Sequence, residues 1–233
     1  NLIKKLPKSF IKEVDTCYFF SSPRIKKSNF KSNKFVDEYD YLKNVITNIK
    51  INKLIYLSSS SVYYDKKHII GSVKRKCEKY IIKNKKKFSN YQIWRPFNLV
   101  GDKYTDSDHF HNLLFKIILI NRKNKFKFEG NLMDTRGYSD VNSFSKVLFN
   151  FSKKNISFTK NYGNRNVVTI SDIIDLYNNK YRKINKKKFM AKFKSKRISF
   201  NNINNKKNNI YFKKKSIFVL KKYLINSLNE KKM

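Results

Sequence analysis

At 233 residues, with 40% hydrophobic and 15% aromatic side chains, the chain can bury a sizeable core, and this excludes an intrinsically disordered protein. Its 54 basic against 16 acidic residues give a net charge of +38, which opens the class of polyanion binders. The lysines are spread over the whole chain, and Lys, Asn, Ile, Phe and Tyr, all with AT-rich codons, dominate while Gly (5) and Pro (3) are scarce, so the charge reads as compositional bias and nucleic acid is not the favoured partner.

Residues 1–16 read as a helix fragment and connector. Thr16-Cys17-Tyr18-Phe19-Phe20-Ser21-Ser22-Pro23 follows as an apolar strand with a small polar end. The spacing predicts an amphipathic helix over residues 35–50, with Tyr39, Leu42, Val45, Ile46 and Ile49 on one face. Asp37 and Glu38 near its start suit the helix dipole. Leu54-Ile55-Tyr56-Leu57 is a short apolar run, the pattern of a strand buried on both faces in a parallel sheet. The serines at 58–61 stand at its C-terminal end, where open α/β sheets bind ligands. From Gly71 the period turns helical through Val73, Cys77, Tyr80 and Ile81, and Ile70 and Lys74, four apart, share a face.

After a basic connector at 83–90, the residues from Tyr91 to Gly101 read as a strand and turn. Residues 102–111 form a polar loop whose Asp106, Asp108, His109 and His111 read as solvated rather than as metal ligands, and 110–120 a buried helix. A helix over 143–151 follows, for which Val141-Asn142-Ser143 offers a cap. Within residues 160–177, Thr169 or Ser171 would cap a helix packed by Ile173, Ile174 and Tyr177. The Lys- and Asn-rich stretch 182–215 reads as a small C-terminal lobe in preference to a basic-aromatic surface for single strands, and 216–228 as a last helix. Cys17 and Cys77 are too few for a disulfide framework or a zinc site, and Cys77 falls on the apolar face of its helix. No run approaches the roughly 18 apolar residues of a membrane span, and no signal-peptide pattern is present, so a cytoplasmic location without membrane contact is expected.

Three stretches carry a family resemblance. Ser58-Ser59-Ser60-Ser61-Val62-Tyr63 followed by residues 71–78 resembles the Ser/Thr-rich strand end, Val-Tyr-Gly and Tyr-x-x-x-Lys of the extended short-chain dehydrogenase/reductases, the NAD-dependent nucleotide-sugar epimerases and dehydratases. Arg95-Pro96-Phe97-Asn98-Leu99-Val100-Gly101 is similar to that family's Arg-Pro-x-Asn-x-x-Gly segment, and residues 126–141 to its strand, glycine turn and Arg-Asp-Phe/Tyr segment. The resemblance covers most of residues 14–180. It implies an α/β fold: a Rossmann-like parallel sheet with flanking helices, and a small C-terminal α/β lobe. Residues 1–101, with return segments near 136–165, would form a partial nucleotide-binding domain, and 102–233 mainly the substrate-binding lobe.

The resemblance also implies roles. In the family a tyrosinate is the general base, a lysine on the same helix face lowers its pKa and binds the nicotinamide ribose, and a Ser or Thr hydrogen-bonds the reacting oxygen. Ser59 and Lys74 take the last two roles. Phe20, Ser21, Ser58, Lys74 and Pro96 would line an NAD or NADP site, and Ser60, Asn98 and Arg136 would hold a nucleotide-sugar, Arg136 through a bidentate grip on phosphate. A homodimer through the helix of Lys74 is a further implication. Two departures stand out. Ile70 occupies the tyrosine's position, with Tyr64 and His68 as candidate substitutes, and Tyr64 replaces the glycine after Val-Tyr. No glycine-rich phosphate-binding run occurs, the first glycine being Gly71. The chain opens on Asn1, and it is either a fragment lacking the first βαβ segment or a degenerate relative. The expectation is therefore an epimerase/dehydratase-like protein with impaired catalysis, the alternative being a non-catalytic basic binding protein or scaffold on the same fold.

Overall fold

The computed structural model describes residues 12–20, 38–64, 68–101, 132–178, 209–213, 216 and 218–220. Ser21, the loop with Asp106, Asp108, His109 and His111, the helix expected at 110–120 and most of 182–215 lie outside the described residues. A five-stranded sheet runs in the order β1-β2-β3-β7-β9, built from β1 (Glu13–Phe19), β2 (Lys50–Leu57), β3 (Asn90–Pro96), β7 (Phe158–Asn164) and β9 (Asn209–Phe212). β1 with β2 and β2 with β3 pair in parallel, and helices flank the sheet, as the Rossmann-like expectation requires. The chain divides into two compact units, Asn1–Pro96 with Leu148–Asn161, and Phe97–Val147 with Tyr162–Met233.

In the first unit, helix α1 (Glu38–Asn48) turns Leu42, Val45 and Ile46 inward and joins β2 within two residues. Helix α2 (Ile69–Lys83) buries Cys77 and Ile81 against the same core of Phe19, Ile51, Leu54, Tyr56 and Ile93. Burial of each large side chain contributes roughly 1.5–3 kcal/mol, so α1 and α2 are held by packing more than by propensity. Cys77 is a packing residue, wholly buried. β1 starts at Glu13, where a connector was expected. Only Val14, Cys17 and Phe19 of this strand turn away from solvent, and its pairing from Glu13↔Lys50 onward supplies the order that its charged residues conceal in the sequence.

Trp94, fully buried on β3, meets Phe151 and Phe158 edge to face at 5.5 and 5.2 Å. Lys53 Nζ donates to Ser152 O (2.9 Å) and Gln92 Nε2 to Phe151 O (2.8 Å), which satisfies the last carbonyls of helix α3 (Val141–Ser152) with one positive charge at its negative end.

In the second unit, β4 (Leu99–Val100) pairs in parallel with β6 (Ser139–Asp140), and β5 (Thr135–Arg136) pairs antiparallel with β8 (Val168–Thr169). The cap of α3 is Asp140, whose Oδ1 accepts from Ser143 N at 2.7 Å, and not a residue of 141–143. A carboxylate there answers both the orphan N–H and the helix dipole. Helix α4 (Ile170–Asn178) opens on Thr169: its Oγ1 accepts from Asp172 N while Asp172 Oδ2 accepts from Thr169 N, a reciprocal pair that decides between Thr169 and Ser171. Ile170, Ile173 and Ile174 pack inward. Residues 216 and 218–220 are helical, with Val219 and Leu220 buried.

Candidate functional site

Two polar clusters surround the C-terminal end of β2. The first is an ion pair in the core. Lys74, 5% exposed on α2, donates to Glu38 Oε1 at 2.7 Å and to the carbonyl of Leu57 at 2.8 Å, while Tyr56 Oη donates to the same Glu38 oxygen at 2.8 Å. Lys74 Nζ also stands 5.1 Å from the centre of the Tyr56 ring. Glu38, 2% exposed, thus does more than complement the dipole of α1: it receives a cation and a phenol in the buried interior. Burial, and next the charge of Glu38, push the Tyr56 hydroxyl well above its ordinary pKa.

The second cluster is a chain of hydrogen bonds. Ser58 Oγ donates to Glu78 Oε1 (2.5 Å), and Arg95 grips both oxygens of Glu78, Nε to Oε1 at 2.9 Å and Nη2 to Oε2 at 2.5 Å. Arg95 Nη1 donates to Tyr63 Oη (2.8 Å), which donates to Asn161 Oδ1 (2.8 Å). Burial opposes the charge on Arg95, but the hydrogen bond and charge of Glu78 outweigh it and its pKa is raised. The fork geometry of the guanidinium is what allows one residue to bind a carboxylate and a phenol together.

The serine run bends into a 3₁₀ turn, Ser60–Tyr63, and Ser59 caps it, its Oγ accepting from Ser61 N at 3.1 Å. The turn lies against α2 at Gly71, where a Cβ would strike the carbonyl oxygen of Ser61, so only glycine allows this approach. Ser60 is half-buried, and the Ser61 hydroxyl is buried without a hydrogen-bond partner among the described residues. Ile70 occupies the first turn of α2, 36% exposed. His68 is the N-cap of α2: its Nδ1 accepts from Gly71 N at 3.0 Å, and its ring stands edge to face with Tyr64 at 4.8 Å. That lone pair therefore serves the helix end. Phe20 is exposed against Tyr18, Pro96 closes β3 half-buried, and Ser21 lies outside the described residues.

In the second unit, Asn98 and Arg136 come onto adjacent segments. Asn98 Nδ2 donates to Gly137 O (3.1 Å) and its own carbonyl accepts from Ser139 N (3.1 Å). Asn98 has φ of 38°, the left-handed region that Asn tolerates better than most residues, and so the turn after Phe97 aims its side chain at the Arg136–Gly137 segment. Asn164 Nδ2 holds Tyr138 O at 2.8 Å, and a Cβ on Gly137 would strike the Asn164 carbonyl. Burial raises the Tyr162 hydroxyl, with Asp140 adding to it.

Sequence reading brought Lys74 to the strand end but missed Glu38, Tyr56, Glu78 and Asn161. The one available signal was Glu78, four residues after Lys74 and therefore on the same helix face. Among the described residues no group of three or more His, Cys, Asp or Glu side chains could hold a metal ion, and no helix is long and apolar enough to cross a membrane.

No protein-family model matches the chain, and no curated protein matches it significantly in sequence. In structure, a UDP-galactose 4-epimerase superposes with a TM-score of 0.73 at 16% identity, over 98% of this chain and 82% of the other. The chain has the fold of the nucleotide-sugar epimerases and dehydratases. This epimerase fold recurs in MoeE5 in complex with UDP-glucuronic acid and NAD, with a TM-score of 0.66 at 12% identity over 94% and 80% of the two chains. It recurs again in a UDP-N-acetylglucosamine 4-epimerase from Methanobrevibacter ruminantium M1 in complex with UDP-N-acetylmuramic acid, with a TM-score of 0.62 at 17% identity over 93% and 77%.

The buried phenols carry a pH consequence for the epimerase fold of this chain. Tyr56 and Tyr162 have folded-state pKa values raised above the ordinary 10.0. Above that pH the unfolded chain releases these protons while the folded chain keeps them, so the unfolded state binds fewer protons and stability falls as pH rises. The contribution is complete below pH 10.0 and is lost above it. Urea midpoints measured from neutral to strongly alkaline pH should decline in that window, and the decline should shrink in Tyr56→Phe.

Proposed function

We propose that this chain binds a nucleotide-sugar and does not carry out the proton transfer of the epimerases and dehydratases. The observation that carries the reading is the pair Ile70 and Lys74. Ile70 has no proton to exchange, and loss of a general base costs about 10²–10⁴ in rate. Lys74, which the resemblance assigns to the tyrosine and the nicotinamide ribose, has two of its three N–H donors taken by Glu38 and Leu57 beneath the surface. With one donor left and the ammonium held at Glu38, Lys74 is a poor partner for a ribose, so no hydride step is assigned to the chain and NAD(P) affinity is expected to be weak.

Asn98 and Arg136 support the binding half of the reading. They are the residues that the resemblance assigns to the nucleotide-sugar, they lie on adjacent segments of one unit, and a guanidinium suits a diphosphate. Bound UDP-sugars in neighbours of this fold favour that ligand class. Calorimetric titration with a UDP-sugar at moderate and high salt tests it. Saturable binding that survives high salt and weakens about tenfold or more in Arg136→Ala is expected, since hydrogen bonds to charged groups contribute about 1.5–3 kcal/mol. Heat that disappears with salt would reduce the binding to general attraction by the +38 chain and overturn the proposal.

A further inference from the structure

Helices α1 and α2 enclose a groove of about 570 Å³ lined by Tyr39, Lys43, Lys76, Lys79, Tyr80, Lys83 and Asn84. It lies within one unit and contains none of the residues assigned above to cofactor or sugar. Lys76, Lys79 and Lys83 are spaced by three and four and share one face of α2 with Tyr80, and Lys43 faces them from α1. All four lysines are exposed, and none forms an ion pair among the described residues. Tyr39 and Tyr80 meet edge to face at 5.5 Å, half-buried at the same place.

We propose that this groove binds single-stranded nucleic acid through its phosphates. The lysine row on α2 spans about 10 Å at 1.5 Å per residue, and Lys85, Lys86 and Lys87 continue it beyond the helix end. A line of unpaired cations fits a chain of phosphates better than one compact anion. The concave shape disfavours a flat bilayer. The tyrosines add ring edges and hydroxyls where bases or sugars would lie. The same lysines count against a symmetric pairing of two copies through α1 and α2, because a two-fold axis there would set like charges against each other. Uniform excess of lysine explains the net charge of the chain. What marks this face is that four lysines and two tyrosines converge on one concavity, and charge-matched variants separate that arrangement from the uniform excess.

The test is fluorescence anisotropy of a labelled oligouridylate of about 16 nucleotides, the upper site size for small single-strand binders, titrated with the full chain across a salt series. Each lysine that neutralises a phosphate contributes about −0.7 to the slope of log K against log salt. The variant Lys76→Glu/Lys79→Glu/Lys83→Glu should lower that slope by about 2 and weaken binding at least about tenfold. Lys12→Glu/Lys146→Glu/Lys213→Glu, with the same net charge change at exposed positions elsewhere, should keep most of the affinity and slope. Circular dichroism confirms that both variants are folded. Equal losses in the two variants would show that overall charge alone binds the oligonucleotide, and would overturn the proposal. So would absence of oligonucleotide binding, or binding of phosphatidylserine vesicles through these lysines in place of the oligonucleotide.

Discussion

Glu38→Ala is expected to destabilise the protein by about 3–5 kcal/mol, because it leaves the Lys74 ammonium buried without its countercharge. For a chain of this size that corresponds to a fall in Tm on the order of 10 °C. The effect belongs to the stranded charge and not to the worth of the pair, since desolvation of two buried ions offsets most of their attraction. Glu38→Leu/Lys74→Met should therefore recover most of the loss, and a double-mutant cycle read by urea unfolding should show strong coupling. Tyr56 sharpens the expectation, because its hydroxyl also loses its acceptor in Glu38→Ala. A change below about 1 kcal/mol in Glu38→Ala would mean that the ion pair is not buried as described.

The second large effect concerns rate. Ile70 sits on the first turn of α2 with a third of its surface open, so a phenol at this position meets no packed core, and Ile70→Tyr should fold with a Tm close to the parent. It should also remain inactive, because the lysine that would lower the pKa of the new phenol is held by Glu38 and Leu57. Adding Glu38→Thr removes the carboxylate that holds that ammonium, with a loss of stability like that of Glu38→Ala. In the presence of added NAD, Ile70→Tyr/Glu38→Thr is expected to convert UDP-sugars about 10²–10⁴ faster than Glu38→Thr alone. An active Ile70→Tyr single variant would show that the Glu38 pair does not restrain Lys74.

What the sequence made legible was local. The run Leu54-Ile55-Tyr56-Leu57 has the length and continuity of a buried parallel strand, and the shift at Gly71 to helical spacing marks the helix that carries Lys74. The cap at Thr169 was one of two neighbours that could serve, and only geometry chose between them. Asp140 was overlooked because attention to 141–143 ignored the residue before, which is the usual position of a cap. β1 was hidden in its first three residues because an outer strand with charged side chains has no hydrophobic signature of its own, and its order comes from β2. The ion pair was illegible for a different reason. Glu38 and Lys74 are 36 residues apart, and Glu38 has an ordinary explanation at a helix start that conceals its second role. The Ser58–Glu78–Arg95–Tyr63–Asn161 chain joins four segments of sequence, so no spacing rule could have assembled it.

The most direct test of binding without proton transfer is NMR observation of UDP-glucose and UDP-N-acetylglucosamine incubated with the parent chain and added NAD, at concentrations where calorimetry shows the sugar site occupied. The expected result is that the sugar resonances shift or broaden on binding and no epimer, dehydrated sugar or oxidised product accumulates over long incubation. Accumulation of such a product in proportion to protein concentration, and its loss in Lys74→Ala, would contradict the account and make the chain a working enzyme with an unrecognised base.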